Sequence, residues 1–137
     1  MKQIEQIDIS GDVGLKVRGD SIEQLFEIAA IGMFNLMTGI PEIKETEHKE
    51  IVLKTDNYED TLVQWLNELV FLFDTYGFIG KEFCVSFKGS RLKADVSGTI
   101  FDPERCERKL LIKAATYHNL SLRKVNSCWE ATVIFDI

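Results

Sequence analysis

From Phe78 onward the chain reads as one strand after another, and this half constrains the architecture more than any other feature. Five runs, Phe83–Phe87, Leu92–Ile100, Leu110–Thr116, Leu120–Val125 and Trp129–Asp136, carry β-branched and aromatic residues in strand-like patterns. Turn formers punctuate them at Lys88-Gly89-Ser90, Asp102-Pro103-Glu104 and Asn126-Ser127. Strands joined by such short turns fold back on themselves, whereas parallel neighbours need a long crossover. The sheet system should therefore be mainly antiparallel.

The first half supplies what packs on it. Alternation over Gln3–Ile9 and Val13–Arg18 gives two half-buried strands separated by Ser10-Gly11-Asp12, with Asp12 at the mouth of the second. A helix follows, with Ile22, Leu25, Phe26, Ala29, Ala30, Met33 and Met37 at helical spacing. Either Asp20 with Glu23 or Ser21 with Gln24 can form its capping box. Thr38-Gly39-Ile40-Pro41 should end it, Gly supplying a left-handed cap and Pro blocking continuation. An alternating, charged run from Ile43 to Thr55 reads as a strand with a turn or bulge near Glu47-His48. A second helix should start near Asn57 and stop before Gly77, burying Leu62, Trp65 or Leu66, Leu69, Val70 and Phe73. The expected fold class is α+β, two helices on one side of mainly antiparallel strands. With 137 residues, 45% of them hydrophobic, and no linker or repeat, residues 1–137 should form a single domain around one core.

A formal charge of −6 argues against independent nucleic-acid binding, which depends on neutralising phosphates. The charge is uneven: Lys88 to Lys124 holds nine Lys or Arg against four acids, a net +5, and leaves −11 for the rest. Such asymmetry suits either a charged partner or ordinary solvated strand faces. Cys84, Cys106 and Cys128 lie 22 residues apart with no CxxC pair, which suggests reduced thiols rather than a zinc knuckle or disulfide framework. The N-terminus Met1-Lys2-Gln3-Ile4-Glu5-Gln6 has no apolar leader, and no run approaches the ~20 apolar residues of a membrane span. A soluble, unexported, cytoplasmic protein is expected.

Nucleophile elbows, P-loops, GxGxxG and HExxH motifs are missing from the sequence. His118, in Lys113-Ala114-Ala115-Thr116-Tyr117-His118-Asn119, has Thr116 nearby, but one histidine and a threonine make no proton relay, and backbone bonding at a strand end is the ordinary role. Oxygen donors are better represented. Asp136 is followed by Ile137, so a side-chain carboxylate lies beside the α-carboxylate of Ile137. If the strand begun by Asp12 neighbours the one ended by Asp136, three anionic groups converge, a set suited to Ca²⁺, Mg²⁺ or Mn²⁺. Asp in a Ser-Gly-Asp turn usually caps backbone N–H groups, and that is the ordinary role for Asp12. Lys113, a lone cation in an apolar run, can snorkel from a sheet edge or project into a polar pocket toward the acids or a phosphate.

Several blocks taken together carry a family likeness: Asp12-Val13-Gly14, the stretch Gly19 to Ala30, Trp65-Leu66-Asn67-Glu68-Leu69, Lys113 to His118, and Val133-Ile134-Phe135-Asp136-Ile137. They span nearly the whole chain in order, and the chain resembles the archease family. The resemblance implies a strand-helix-strand-strand module with two helices against antiparallel strands. It also implies an accessory protein of the RNA-splicing ligase, which joins a 2′,3′-cyclic phosphate or 3′-phosphate end to a 5′-hydroxyl using GTP and divalent metal. The accessory protein would promote guanylylation of the ligase histidine and multiple turnover in tRNA splicing or RNA repair, without performing ligation itself. Asp12, Asp136 and Ile137 match the family's metal site, calcium being the first choice and magnesium or manganese the others. Lys113 matches a lysine tied to activation, with Thr116 and His118 as supporting positions. One departure stands out: the family has His-Thr-Ala-Asp where this chain has Ile9-Ser10-Gly11-Asp12, so the histidine's role does not carry over.

On this reading the ligase is the protein partner, GTP and RNA are met through it, and no membrane is involved. The competing expectations are a small metal-dependent enzyme acting on a phosphorylated metabolite or nucleotide, which lacks a general base, and a metal-free binding scaffold.

Overall fold

The structure is a computed structural model that describes residues 3–39 and 45–137. Its elements are β1 (Ile4–Ile9), β2 (Asp12–Gly19), α1 (Ile22–Met37), β3 (Thr38–Gly39), β4 (Glu47–Lys54), α2 (Tyr58–Tyr76), β5 (Phe78–Lys88), β6 (Arg91–Ile100), β7 (Glu107–Arg108), β8 (Ala114–Ala115), β9 (Ser121–Val125) and β10 (Cys128–Asp136). The fold is α+β. A five-stranded sheet runs β1-β2-β10-β8, with β9 also on β10; a second sheet runs β4-β6-β5, and β3 pairs with β7. Every pairing is antiparallel. Helix α1 packs against β2 of the first sheet and β5 of the second, while α2 touches β5 and β8. No helix among the described residues is long and apolar enough to cross a membrane.

The helix boundaries follow from local chemistry. Ser21 Oγ accepts from Gln24 N at 3.1 Å and Gln24 Oε1 accepts from Asp20 N at 2.6 Å, so the Ser21 and Gln24 alternative is the one realised. Asn57 caps α2 by accepting from Asp60 N at 2.8 Å, and Gly77 closes it with φ 71°. The end of α1 differs from expectation. Thr38 is extended, Gly39 pairs with Glu107 as strand rather than forming a left-handed cap, and Ile40 and Pro41 lie outside the described residues. The last carbonyls of α1 go instead to a distant segment: Leu36 O and Met37 O accept from the backbone of Leu110 and Lys109 at 3.0 and 2.9 Å, and Asn35 O accepts from Lys109 Nζ at 3.3 Å. A cation at this end also complements the helix dipole.

Two strand expectations need correction. The run expected over Leu110–Thr116 is strand only at Ala114–Ala115, because residues 109–110 serve as the cap of α1 and Ile112 turns fully into the core. Lys113 is therefore in an extended connection just before β8. The strand expected from Ile43 begins at Glu47; Ile43 itself lies outside the described residues, as do Met1 and Lys2.

One core fills the space between the sheets and helices. Trp65, Phe26, Phe34, Phe78 and Phe135 are its largest fully buried side chains, and Trp65 Nε1 is satisfied by Phe26 O at 3.0 Å. On the opposite face of the β2–β10 pair, Arg18 donates to Glu130 across the ladder. That hydrogen bond holds the Glu130 carboxyl below its ordinary range, with the charges of Arg18, Lys16 and Arg123 adding to it against partial desolvation. A carboxyl whose folded pKa is depressed contributes stability above its unfolded pKa and loses it as pH falls through the folded value. Thermal melts should therefore show Glu130→Gln less stable than the parent at neutral pH, the gap closing below the usual carboxylate range. A gap independent of pH would show that charge plays no part.

Candidate functional site

The turn between β1 and β2 begins the construction. Ser10 and Gly11 have φ of 47° and 89°, the positive pair of a two-residue type I′ hairpin, which matches the twist of the strands it joins. It brings Ile9 opposite Asp12. On the other side of β2, the ladder with β10 runs from Trp129↔Gly19 to Phe135↔Val13. Asp12, which begins β2, and Asp136, which ends β10, each stand one residue beyond the last pair of that ladder, and the β10–β8 ladder sets Ala114 opposite Asp136. Ile9, Asp12, Asp136 and Ala114 thus form a row across four strands at one end of the sheet.

Alternation decides which way this row points. Val13 is 8% exposed and Phe135 0%, both turned to the core, so Asp12 and Asp136 point to the other face. Opposed residues of an antiparallel pair share a face at a Cα separation of about 4.5–5.5 Å. Asp12 and Asp136 therefore turn to the same face at the same end of the sheet. Asp12 is half-buried and Asp136 exposed. Asp136 is held between Phe135 and Ile137, whose side chain packs against the core, so both flanking residues are anchored. One residue further in, a Cβ on Gly14 would lie 2.6 Å from Ile134 Cδ1 and 2.8 Å from Val133 O, so glycine permits this close approach of β2 and β10.

Lys113 is joined to the same strand end: its N–H donates to Asp136 O at 2.8 Å. The side chain is exposed and forms no ion pair with a described residue. Thr116 lies two residues back along β10, where its N–H and Oγ1 both reach Ile134 O, at 3.0 and 2.8 Å. His118 donates its backbone N–H to Thr116 Oγ1 at 3.2 Å and is exposed. Thr116 thus fixes the strand, and His118 sits on the turn leading to β9, apart from the Asp12 row.

Sequence reasoning missed Asn67. Its Oδ1 accepts from Ala115 N at 2.7 Å and its Nδ2 donates to Ala115 O at 3.1 Å, so one amide satisfies both backbone groups on the open edge of β8. The available signal was a polar residue between Leu66 and Leu69 on an otherwise apolar helix face.

The candidate donors at this end are oxygens: the carboxylates of Asp12 and Asp136, with the main chain of Ile137 next to Asp136. That chemistry suits a hard divalent cation, with water completing the shell, better than zinc, which favours nitrogen and sulfur. Among the described residues no three His, Cys, Asp or Glu side chains converge to hold a metal ion, so Asp12 and Asp136 would share that task with main-chain oxygen. Ile9, directly opposite Asp12, adds an apolar wall where a histidine would add nitrogen.

Comparison with known proteins gives a consistent result. Residues 5–137 match the model of the Archease protein family (MTH1598/TM1083). The chain is 32% identical to the protein archease of Pyrococcus abyssi, over 100% of each chain, and 33% identical to that of Methanosarcina barkeri, over 99% of this chain and 97% of the relative. The solution structure of Methanobacterium thermoautotrophicum protein 1598 superposes with a TM-score of 0.88 at 28% identity, covering 100% of both chains. A crystal structure from Thermotoga maritima, described as an archease and possible chaperone, shares the fold with a TM-score of 0.71 at 22% identity, covering 97% of this chain and 96% of that one.

Proposed function

This chain belongs to the archease family, and from that premise we propose that it is a non-catalytic protein cofactor of an RNA-splicing ligase, acting as one unit over residues 1–137 in the cytoplasm. The observation that supports the proposal is the ladder that brings the start of β2, Asp12, and the end of β10, Asp136, to one end of the sheet, where the Lys113 backbone is tied to Asp136. Two carboxylates and a lysine with no ion pair among the described residues, gathered at one end of the sheet, serve no packing purpose. They suit contact with a partner's phosphate-bearing site.

In this reading Asp12, Asp136 and the Ile137 main chain would hold a divalent cation, calcium first, with magnesium or manganese as alternatives. When bound, the cation supplies positive charge toward a triphosphate. The chain's own part is positional. The anchored strand end presents Asp136 at a fixed place, and the Lys113 ammonium neutralises phosphate charge as GMP is joined to the ligase histidine and pyrophosphate leaves. Phosphoryl transfer responds strongly to such preplaced charge, because the chemistry depends mainly on alignment and electrostatics. The description of the Thermotoga protein as a possible chaperone agrees with action on a partner protein.

The test uses the cognate ligase with GTP and RNA ends bearing a 2′,3′-cyclic phosphate and a 5′-hydroxyl. Lys113→Ala should reduce the stimulated guanylylation rate on the order of 100-fold, the usual loss for one charge-stabilising donor. Full stimulation by this variant would remove Lys113 from the site. Nucleotide turnover by the purified chain alone would favour an enzyme instead.

A further inference from the structure

We infer that Asn67 is the positioning residue for Lys113, acting by clamping β8 from α2; this rests on the proposed role of Lys113. Strand β8 has only two residues, too few to hold its own register. One edge is secured to β10 by Lys113 N and Asp136 O at 2.8 Å and by Thr116 N and Ile134 O at 3.0 Å. The opposite edge exposes Ala115 N–H and C=O, and Asn67 meets both, at 2.7 and 3.1 Å. The orientation of the amide is dictated by its partners, since only oxygen can accept from Ala115 N–H and only nitrogen can donate to Ala115 C=O. Asn67 is half-buried on the rigid 19-residue helix α2, flanked by the fully buried Leu66 and Leu69. The helix thus sets where β8 lies, and β8 sets where Lys113 leaves the sheet relative to Asp136. A residue that merely filled space here would need no paired donor and acceptor.

Asn67→Asp keeps the shape and the acceptor but turns the donor into an anion facing Ala115 O. At neutral pH we expect about a tenfold loss of maximal ligase guanylylation and, from the lost bond to Ala115 O, a drop of a few degrees in melting temperature, with the half-saturating concentration of the chain and its calcium affinity close to the parent's. Protonating the new carboxyl restores a donor, so the amide resonances of Lys113 and Ala115 in this variant should return toward the parent's as pH falls. If Asn67→Asp does not fold, Asn67→Ser makes the same comparison while keeping a hydroxyl for one of the two bonds. Lys113→Ala is run beside it. Full stimulation by the Asn67 variant with loss in Lys113→Ala overturns the clamp alone. Full stimulation by Lys113→Ala overturns the underlying role of the lysine. A loss in the Asn67 variant accompanied by a raised half-saturating concentration or a weakened calcium affinity also overturns the clamp, because it marks a general defect of the surface and not a displaced Lys113.

Discussion

Asp12→Asn and Asp136→Asn should each weaken calcium binding about 100-fold or more, since each removes one of only two side-chain carboxylates in the proposed donor set. Their effect on the metal-free protein should be in the opposite direction. Two like charges on one face of the sheet repel, so neutralising one leaves the apo fold unchanged or slightly firmer. Calcium at 100 times its dissociation constant should add about 2.7 kcal/mol to the parent, a rise in melting temperature of about 10 °C for a domain of this size. Thermal scans with and without calcium therefore separate the variants from the parent sharply. An equal calcium-induced shift in both variants would place the cation elsewhere. The chemistry of the site also predicts that zinc gives no comparable stabilisation, because no nitrogen or sulfur ligand faces the two carboxylates along the row.

Gly98→Ala should be the most damaging of the glycine-to-alanine substitutions in the described structure. Gly98 lies in β6, the middle strand of its three-stranded sheet, opposite Gly80 on β5 and Glu47 on β4. A Cβ there would sit 1.9 Å from Ile79 O and 2.8 Å from Ile79 C. These are backbone atoms of a fully buried residue, beside the register shift between Gly80 and Glu82, so relief requires moving β5 or β6 as a whole. A clash of that kind should cost about 3 kcal/mol or more and lower the melting temperature by about 10 °C. Gly89→Ala is the informative contrast. Its φ is 58° but a Cβ would meet nothing within 4 Å, so only the backbone preference of about 1 kcal/mol is lost. Denaturant titrations showing the two substitutions to be equally mild would contradict the tight β5–β6 approach.

The contrast between these glycines also shows what could be read in the sequence. Gly89 stands in a Lys-Gly-Ser turn and announces itself, whereas Gly98 stands in a strand where its need depends on a backbone 19 residues away. Both helices were legible because their signals are local: Ser21 with Gln24, Asn57 with Gly77, and apolar residues at helical spacing. The end of α1 was not, because its carbonyls are satisfied by Lys109 and Leu110 from far along the chain. The same demand explains why Leu110 was lost from its expected strand. Asp12 and Asp136 could be placed at strand ends from local pattern, and the family likeness singled them out. Only the long-range register of β2 and β10 brings them to the same end of the sheet. Asn67 lay in a recognisable block, yet its partner Ala115 is 48 residues distant, and no local rule links them.

The most direct test is formation of the covalent GMP–histidine adduct on the cognate ligase from labelled GTP, with the ligase limiting and calcium, magnesium and RNA ends present. The parent chain should let the ligase recharge after each ligation, while the Asp12→Asn/Asp136→Asn chain, folded and added in equal amount, should leave it at the level without any added chain. Equal recharging with both would contradict the account, because the paired carboxylates at the end of the β2–β10 ladder would then have no part in what this protein does.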